Sequence, residues 1–366
     1  MADLNAIVER VHRIGWLYQT GGTGLYLSLA ARIPGVTRAD IDFAVASRAL
    51  RVLTTVRGCT MLVPAADVTL ARAAGARAFA PTVQAILRSG ELDEAGRDRL
   101  CDEVVDVLGF GTTSSAVLRA ELAERAEIPA LGPVGRKFGF SNALPLALRV
   151  LECWGRVERV PGRLDGDDYA WRRAPDDERE NGPTGAALDL GLARRFLGWG
   201  GEGAAFTADD LSAWLTCGKR AGRALFDEAG GGSGDCAGFG AGVVYLPFRD
   251  PYLENRRGMS RLVAPEHLHA RVDGWGKGTV AVGEAESLHH HAIVAQGRVV
   301  GIWEWADGQV VSGFFGEPPK DWAQAAEATG NWVRDQLGDV FIYAQDGARQ
   351  RAGRVEIVRG LGVATT

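Results

Sequence analysis

The sequence predicts an α+β fold in which three tandem winged-helix units precede a β-barrel-like C-terminal domain. This prediction depends on two observations. Helical stretches followed by β-prone pairs recur through residues 1–230, and that order of elements is typical of a winged helix. Beyond residue 230, short β-prone runs alternate with Gly-containing turns. We expect winged helices over 1–90, 91–180 and 181–230, and the β-rich domain over 231–366.

The first unit begins with an amphipathic helix and ends with a hairpin. Residues 7–14 carry apolar side chains at helical spacing, and Gly15 follows as a stop. Thr37–Asp40 has the capping-box pattern that begins a helix. Two β-prone stretches, 51–56 and 60–63, complete the order and predict the hairpin called the wing.

The second and third units repeat this order. A helix ends at Gly109, a threonine at 112 or 113 is expected to cap the next helix, and a third helix covers about 142–154. Strands are expected near 156–160 and 169–171. In the third unit, a helix over 188–197 precedes a second capping-box pattern at Thr207–Asp210.

The C-terminal region follows an expected linker at Gly230–Gly234 and is rich in β-prone runs. One helix, over about 322–337, interrupts these runs. We predict strands that form a barrel or a strongly curved sheet, over residues 243–248, 291–295, 299–305, 310–315, 340–344 and 354–357.

Composition and missing motifs exclude several function classes. The sequence contains neither a G-x-x-x-x-G-K-[S/T] P-loop nor a G-x-S-x-G nucleophile elbow. Its five cysteines are scattered without a C-x-x-C pair, and no secretion signal or long apolar run is visible, so we expect a cytoplasmic protein. The net charge of −5 still permits DNA binding, because affinity for DNA depends on local phosphate contacts.

Several segments resemble those of the AlkZ-like winged-helix DNA glycosylases. They are Gly15–Gln19 leading into Tyr26–Arg32, the first wing over Val56–Pro64, the segment Leu246–Leu253, and Gly297–Trp303. The resemblance covers nearly the whole chain and implies three winged helices on a β-barrel. It also implies a monomeric, nucleoid-associated enzyme that removes bulky alkylated or crosslinked purines from double-stranded DNA, in some members for self-resistance to a genotoxic product.

The resemblance implies that Gln19 is catalytic, and we expect the hydroxyl of either Thr20 or Thr23 to share the attacking water, with Thr20 as the catalytic candidate. Family members carry Gln-x-Gln or Gln-x-Asp in this loop, whereas this sequence has Gln19 alone, with Leu17 or Gly21 at the other position. An N7-alkylated purine already carries positive charge and leaves without a general acid. One amide oxygen is then sufficient to stabilise the sugar and to place a water. We expect no cofactor, no metal and, without a nearby lysine, no strand cleavage.

Other candidate residues have both a functional and a structural interpretation. Tyr18, Thr23, Asp250 and Tyr252 either support the lesion or cap and pack their turns. Arg57 either contacts DNA or fixes the wing through a salt bridge. The remaining expected DNA contacts are Arg136, Lys137, Arg256, Arg257, His289 and His291.

Two alternatives from other classes remain open at this stage. The incomplete glutamine motif favours a catalytically silent DNA binder, either an adduct sensor or a transcriptional regulator. The run His289–His291 allows a metal-dependent nuclease in which His267 or His269 completes the site. The absence of coiled-coil heptads argues against a dimeric regulator.

Overall fold

A computed structural model describes residues 3–109, 111–125, 127–175, 182–200, 205–231, 242–275 and 278–364. The expected linker at Gly230–Gly234 therefore lies mostly outside the described residues. Contacts divide the chain into two compact units. The first comprises Met1–Leu50, Leu164–Gly166 and Ala193–Thr366, and the second comprises Arg51–Arg163 and Asp167–Leu192.

The N-terminal part of the first unit is helical. Helix α1 (Leu4–Ile14) buries its apolar stripe and ends at Gly15, as its pattern predicts. A two-residue strand, β1 (Leu17–Tyr18), leads through a loop into α2 (Gly24–Ala30). Helix α3 (Arg38–Ala46) begins with the capping box expected at Thr37.

The second unit begins with two strands and a long helix. The strands are β2 (Leu50–Thr54) and β3 (Thr60–Pro64), and the helix is α4 (Val68–Arg88). Helix α4 was not predicted. Gly75 lies within it, and a Cβ there would lie 2.3 Å from the carbonyl oxygen of Thr54. The glycine is therefore required for close helix–strand packing.

The rest of the second unit combines helices with a three-stranded sheet. The sheet is antiparallel in the order β4-β6-β5, and its apolar face belongs to a core that includes residues of α5 and α8. The predicted threonine cap at 112–113 is wrong, since both residues lie in β4 and pair with β6. The elements are α5 (Glu94–Leu108), β4 (Thr112–Ser114), α6 (Ser115–Arg125), α7 (Pro133–Lys137), α8 (Ala143–Cys153), β5 (Val157–Pro161), β6 (Tyr169–Arg173) and α9 (Gly185–Leu197), whose last turns belong to the first unit.

The first unit continues with α10 (Ala208–Leu215), which begins with the capping box expected at Thr207, and α11 (Lys219–Glu228). A cluster of tryptophans packs beneath α10. The ring centroids of Trp16 and Trp199 are 5.4 Å apart, and those of Trp199 and Trp214 are 5.2 Å apart. These side chains form core contacts.

The C-terminal part contains an open five-stranded sheet in the order β13-β12-β11-β10-β7, together with a small β8–β9 pair. Helices α13 and α14 pack against the large sheet. The elements are β7 (Val243–Leu246), α12 (Pro251–Glu254), β8 (Arg271–Asp273), β9 (Thr279–Ala281), β10 (His291–Ala295), β11 (Arg298–Ala306), β12 (Gln309–Phe314), α13 (Trp322–Gln336), α14 (Ala348–Gly360) and β13 (Val363–Ala364).

Among the described residues the sheet does not close into the predicted barrel. Strands β7 and β13 are its two edges. The strands expected at 340–344 and 354–357 are also wrong, because the first segment is irregular and the second lies in α14. In the part of the chain that the structure describes, no helix has the length and apolarity needed to cross a membrane.

Candidate active site

The loop between β1 and α2 is held against the backbone of residues 341–344. Thr20 Oγ1 donates to the carbonyl oxygen of Ile342 over 2.9 Å, and Thr23 Oγ1 donates to that of Phe341 over 3.1 Å. The backbone amide of Thr23 also donates to the Phe341 carbonyl, over 2.9 Å. These bonds fix a polar loop in one conformation within the first unit.

Two glycines permit this close approach. Gly21 has a φ of 75°, and a Cβ there would lie 2.7 Å from the Cβ of Ala344. A Cβ on Gly22 would lie 2.6 Å from the carbonyl oxygens of Phe341 and Ile342. Any larger residue at Gly22 would push the loop away from the segment that carries it.

Gln19 projects from this loop into a buried position. Its Nε2 donates to the carbonyl oxygen of Leu164 over 3.0 Å and to that of Gly166 over 2.9 Å. Both amide hydrogens are therefore used to orient the side chain, which is 7% exposed. The amide oxygen is the atom of this side chain that is chemically able to polarise a water or to stabilise positive charge.

The neighbours of Gln19 supply no second amide or carboxylate within the loop. Leu17 is 1% exposed, and Gly21 has no side chain. Tyr18 is buried, and the guanidinium of Arg249 lies 5.4 Å from the centroid of its ring. Thr20 is half-buried. Its O–H group donates to the Ile342 carbonyl, and the hydroxyl oxygen retains acceptor capacity for a water.

Asp250 is fully buried and binds the helix that follows the loop. Its carboxylate accepts from Arg32 at Nη1 and Nη2, each over 2.7 Å, and from Ser28 Oγ over 2.7 Å. It also caps α12 by accepting from the backbone amide of Tyr252 over 2.9 Å. The Tyr252 hydroxyl donates to the Gly297 carbonyl over 2.6 Å. Both side chains thus have packing and capping partners in this turn.

The three consecutive histidines have separate environments. His291 is 1% exposed, and its Nδ1 accepts from the backbone amide of Phe248 over 2.9 Å. Burial lowers the pKa of His291 to about 4, so the ring is neutral near pH 7. The expectation of a phosphate contact at His291 is therefore corrected, because the residue is neither exposed nor charged. His290 is buried as well, whereas His289 is half-buried.

The histidine run does not converge into a ligand set. His290 Nε2 accepts from the Asp273 amide over 3.1 Å, and its Nδ1 lies 3.4 Å from Glu304. Within the described ranges, no group of three or more His, Cys, Asp or Glu side chains has a geometry that could hold a metal ion.

The expected basic contacts differ in exposure. Arg136 and Lys137, at the end of α7, are exposed. Arg57 is half-buried at a turn with a φ of 58°. Arg257 is half-buried, with Nη1 3.4 Å from Glu286.

The expectation that Arg256 is exposed and contacts DNA is wrong, because the residue is only 2% exposed. Its guanidinium lies 4.5 Å from the ring centroid of Phe206 and 4.7 Å from that of Tyr252, and its Nη1 donates to the Tyr252 carbonyl. A side chain that packs between rings inside the unit cannot contact a phosphate.

Sequence reasoning missed two aromatic residues and an arginine in this region. Arg249, Trp275 and Tyr343 were not proposed as site residues. Trp275 carried a usable signal, since it stands between glycines in the run Asp273-Gly-Trp-Gly and has no apolar periodicity around it. An aromatic residue in such a turn is expected to be exposed rather than packed in a core.

Known proteins resemble this chain in sequence profile and in fold. The sequence profile of the family described as "DNA glycosylase AlkZ-like" matches residues 15–327. Among solved structures, the chain is similar to the DNA glycosylase AlkZ of Streptomyces sahachiroi, with a TM-score of 0.59 and 18% identity over 92% of each chain. No curated protein matches the sequence.

The class of protein that these findings define is a DNA glycosylase, for which DNA is the substrate. The chain belongs to the AlkZ-like DNA glycosylase family. The matched region begins at Gly15 and so includes the glutamine loop, the Asp250 turn and the histidine run.

Proposed function

We propose that this protein is a monofunctional, metal-independent DNA glycosylase that hydrolyses the N-glycosidic bond of bulky or crosslinked N-alkylated purines. The observation that carries the proposal is the Gln19 amide, which two backbone carbonyls hold by its nitrogen. This orientation presents the amide oxygen in a loop that belongs to the matched family region. Double-stranded damaged DNA is the partner, and the protein acts on it as a monomer.

The chemistry suits a cationic leaving group. An N7-alkylated purine departs as a neutral base, so the enzyme need not protonate it. The remaining barrier lies in the electron-poor sugar and in the position of the attacking water. The Gln19 oxygen stabilises the sugar and accepts from the water, and the Thr20 hydroxyl is a second acceptor for that water. An undamaged purine, which leaves as an anion, is not cut.

The reaction ends at an abasic site. Lyase chemistry needs an amine that forms a Schiff base with the sugar. The chain has four lysines, Lys137, Lys219, Lys277 and Lys320, and none lies in the loop or in the 341–344 segment. Water is therefore the nucleophile, and the strand remains intact until alkali cleaves it.

DNA binding in this proposal uses the second unit as a winged helix. Helices α5, α6 and α8 with the β4-β6-β5 sheet have the helix, strand, helix, helix, hairpin order of that motif. Arg136 and Lys137 are exposed and contact phosphates, and Arg57 contributes from the turn between β2 and β3. The protein serves repair and, in a host that makes a genotoxic product, self-resistance.

The test uses a duplex that carries one N7-alkylguanine, incubated with the protein in excess chelator. We expect free alkylated base and an alkali-labile abasic site, with no strand break before alkali and no borohydride-trapped adduct. Borohydride trapping would contradict the monofunctional mechanism. Intact DNA in a tight complex would contradict the enzyme and favour the adduct sensor, the alternative that the single amide in the loop supports.

A further inference from the structure

A cavity of about 560 Å³ opens in the first unit beside the segment that carries the glutamine loop. Its walls include Ile342 and Tyr343, and Ile342 is the residue whose carbonyl accepts from Thr20. Trp275 and His289 line the same cavity. Its volume lies in the range of pockets that hold small organic ligands, about 300–1,000 Å³. The proposed mechanism leaves this cavity unused.

Three rings form one wall of the cavity. The centroids of Trp275 and His289 are 4.5 Å apart with an interplanar angle of 36°, and Trp275 meets Tyr343 edge-on at 5.9 Å. Trp275 is nevertheless 53% exposed. Its backbone has a φ of 56°, which is a costly conformation for a bulky aromatic residue. The fold thus holds a large apolar ring open to a cavity at a conformational cost.

A continuous series of ring contacts connects this wall to the residue before Gln19. The Arg249 guanidinium lies 5.4 Å from the ring centroid of Tyr18 and 5.4 Å from that of Phe248. Phe248 in turn meets Tyr343 at 5.5 Å and His289 at 6.0 Å. Tyr18 and Phe248 are both buried, so the cavity wall and the start of the glutamine loop belong to one packed cluster.

Two buried polar atoms on this wall have no hydrogen-bond partner among the described residues, namely His289 Nδ1 and the Tyr343 hydroxyl. Burial raises the pKa of Tyr343 to about 12, so its hydroxyl remains a donor. Burial also lowers the pKa of His289, so its ring is neutral near pH 7. Unpartnered buried polar groups are costly unless a ligand supplies the missing bonds.

We propose that this cavity is an aryl subsite that binds the planar aromatic group carried by the alkyl substituent of the damaged purine. The aromatic group stacks on the exposed face of Trp275, and heteroatoms at its edge bond to Tyr343 and His289. This inference rests on the proposed function and specifies the bulky part of its substrate.

The test compares two duplexes, one with an N7-methylguanine and one with an N7-(naphthylmethyl)guanine. Both carry a 2′-fluoro sugar that keeps the glycosidic bond intact, so binding is measured without reaction. We expect wild type to prefer the naphthylmethyl duplex, and Trp275→Ala to reduce the ratio of the two Kd values about tenfold, in line with the energy of aromatic stacking on a base.

Trp154→Ala is the matched control, because Trp154 is also exposed, at 43%, but lies in the second unit. It should leave the preference at its wild-type value, and Trp275→Phe should restore most of it. Equal affinity of wild type for the two duplexes would overturn the aryl subsite. So would a Trp275→Ala variant with an unchanged preference.

Excision of the matching 2′-deoxy duplexes separates this inference from the proposed function. A preference in binding that depends on Trp275, combined with no release of either base, would support the subsite and overturn the glycosylase. Release of both bases at equal rates, with no preference in binding, would support the glycosylase and overturn the subsite.

Discussion

Asp250 illustrates how single buried charges stabilise the first unit. It is 0% exposed, and its two carboxylate oxygens accept from Arg32, Ser28 and the Tyr252 amide. Such a carboxylate connects α2 to the start of α12. Its energetic importance lies less in the ion pair itself than in the charge that remains if one partner is removed.

Asp250→Ala should lower the free energy of unfolding by about 3–5 kcal/mol, because the Arg32 guanidinium then stays buried without its carboxylate. Urea titration at pH 7 measures this change. Asp209→Ala is the control, since Asp209 pairs with Lys219 at side-chain exposures of 60% and 84%. The exposed pair should contribute less than about 1 kcal/mol. Equal effects of the two substitutions would contradict the role given to Asp250.

His291 gives the stability of the protein a defined acid dependence. Its folded pKa of about 4 lies below the ordinary value of 6.5, so below pH 6.5 the unfolded chain takes up a proton that the folded chain does not. Stability that is present above pH 6.5 is therefore lost as the pH falls towards 4. Between pH 7 and pH 5, the titration of His291 lowers the free energy of unfolding by about 2 kcal/mol.

In His291→Asn, the amide oxygen can still accept from the Phe248 amide, but nothing titrates at this position. The difference in unfolding free energy between wild type and variant should therefore shrink by about 2 kcal/mol from pH 7 to pH 5. Urea titrations at the two pH values provide the measurement. A difference that stays constant with pH would mean that His291 titrates normally in the folded chain.

Residue types identify candidates but not their surroundings. Gln19 could be selected as a candidate because the segment Gly15–Gln19 resembles the catalytic loop of a known family, and Thr20 because it adjoins Gln19. The adjacent residues Arg256 and Arg257 look alike in sequence, yet the first lies between Phe206 and Tyr252 and the second faces Glu286. Exposure is set by tertiary packing, which local sequence does not encode.

At the scale of elements, the attachment of the loop to residues 341–342 should be sensitive to a single methyl group. Gly22→Ala would place a Cβ 2.6 Å from two carbonyl oxygens, so the loop must move. We expect excision activity to fall at least about tenfold, because small misplacements of reacting groups are costly. The free energy of unfolding, measured by urea titration, should change much less than the activation free energy of excision.

Gly111→Ala is the control for Gly22→Ala. A Cβ at Gly111 meets nothing within 4 Å, and its φ is not in the left-handed region. Activity of this variant should match that of wild type. Full activity in Gly22→Ala would show that the contact with Phe341 and Ile342 does not position the catalytic loop.

Helices and strands with strong local signals were predicted from sequence, while the C-terminal architecture was not. The capping boxes at Thr37 and Thr207 begin helices as expected. The segment 354–357 alternates polar and apolar residues like a strand, but it belongs to α14. There Val355 and Val358 are buried, and Arg354 binds Glu304 over 2.9 Å. A window of four residues cannot distinguish these periods.

At the scale of the whole molecule, DNA binding should depend on exposed cations rather than on total charge. Lys137→Ala should weaken binding to undamaged duplex DNA and reduce the slope of log K against log salt by about 0.9. Arg256→Ala should leave this slope unchanged and lower stability instead, since Arg256 packs between two rings. Fluorescence anisotropy across a salt series distinguishes the two variants, and a reduced slope for Arg256→Ala would contradict its assignment to the core.

The division into units could not be predicted, because it interleaves distant segments. Leu164–Gly166 belongs to the first unit although the residues on both sides belong to the second. Those three residues supply both carbonyls that orient Gln19. A partner 145 residues away along the chain leaves no trace in local patterns. The loop was therefore recognisable as a candidate site, whereas its geometry required the structure.

The most direct test of the account compares single-turnover excision of an N7-alkylguanine by wild type and by Gln19→Ala. Gln84→Ala is the control, because Gln84 is a surface residue of α4 that pairs with Arg88. We predict a loss of about 100-fold or more for Gln19→Ala at unchanged DNA affinity, and none for Gln84→Ala. Equal rates of base release by wild type and Gln19→Ala would contradict the account, since the amide would then take no part in the reaction.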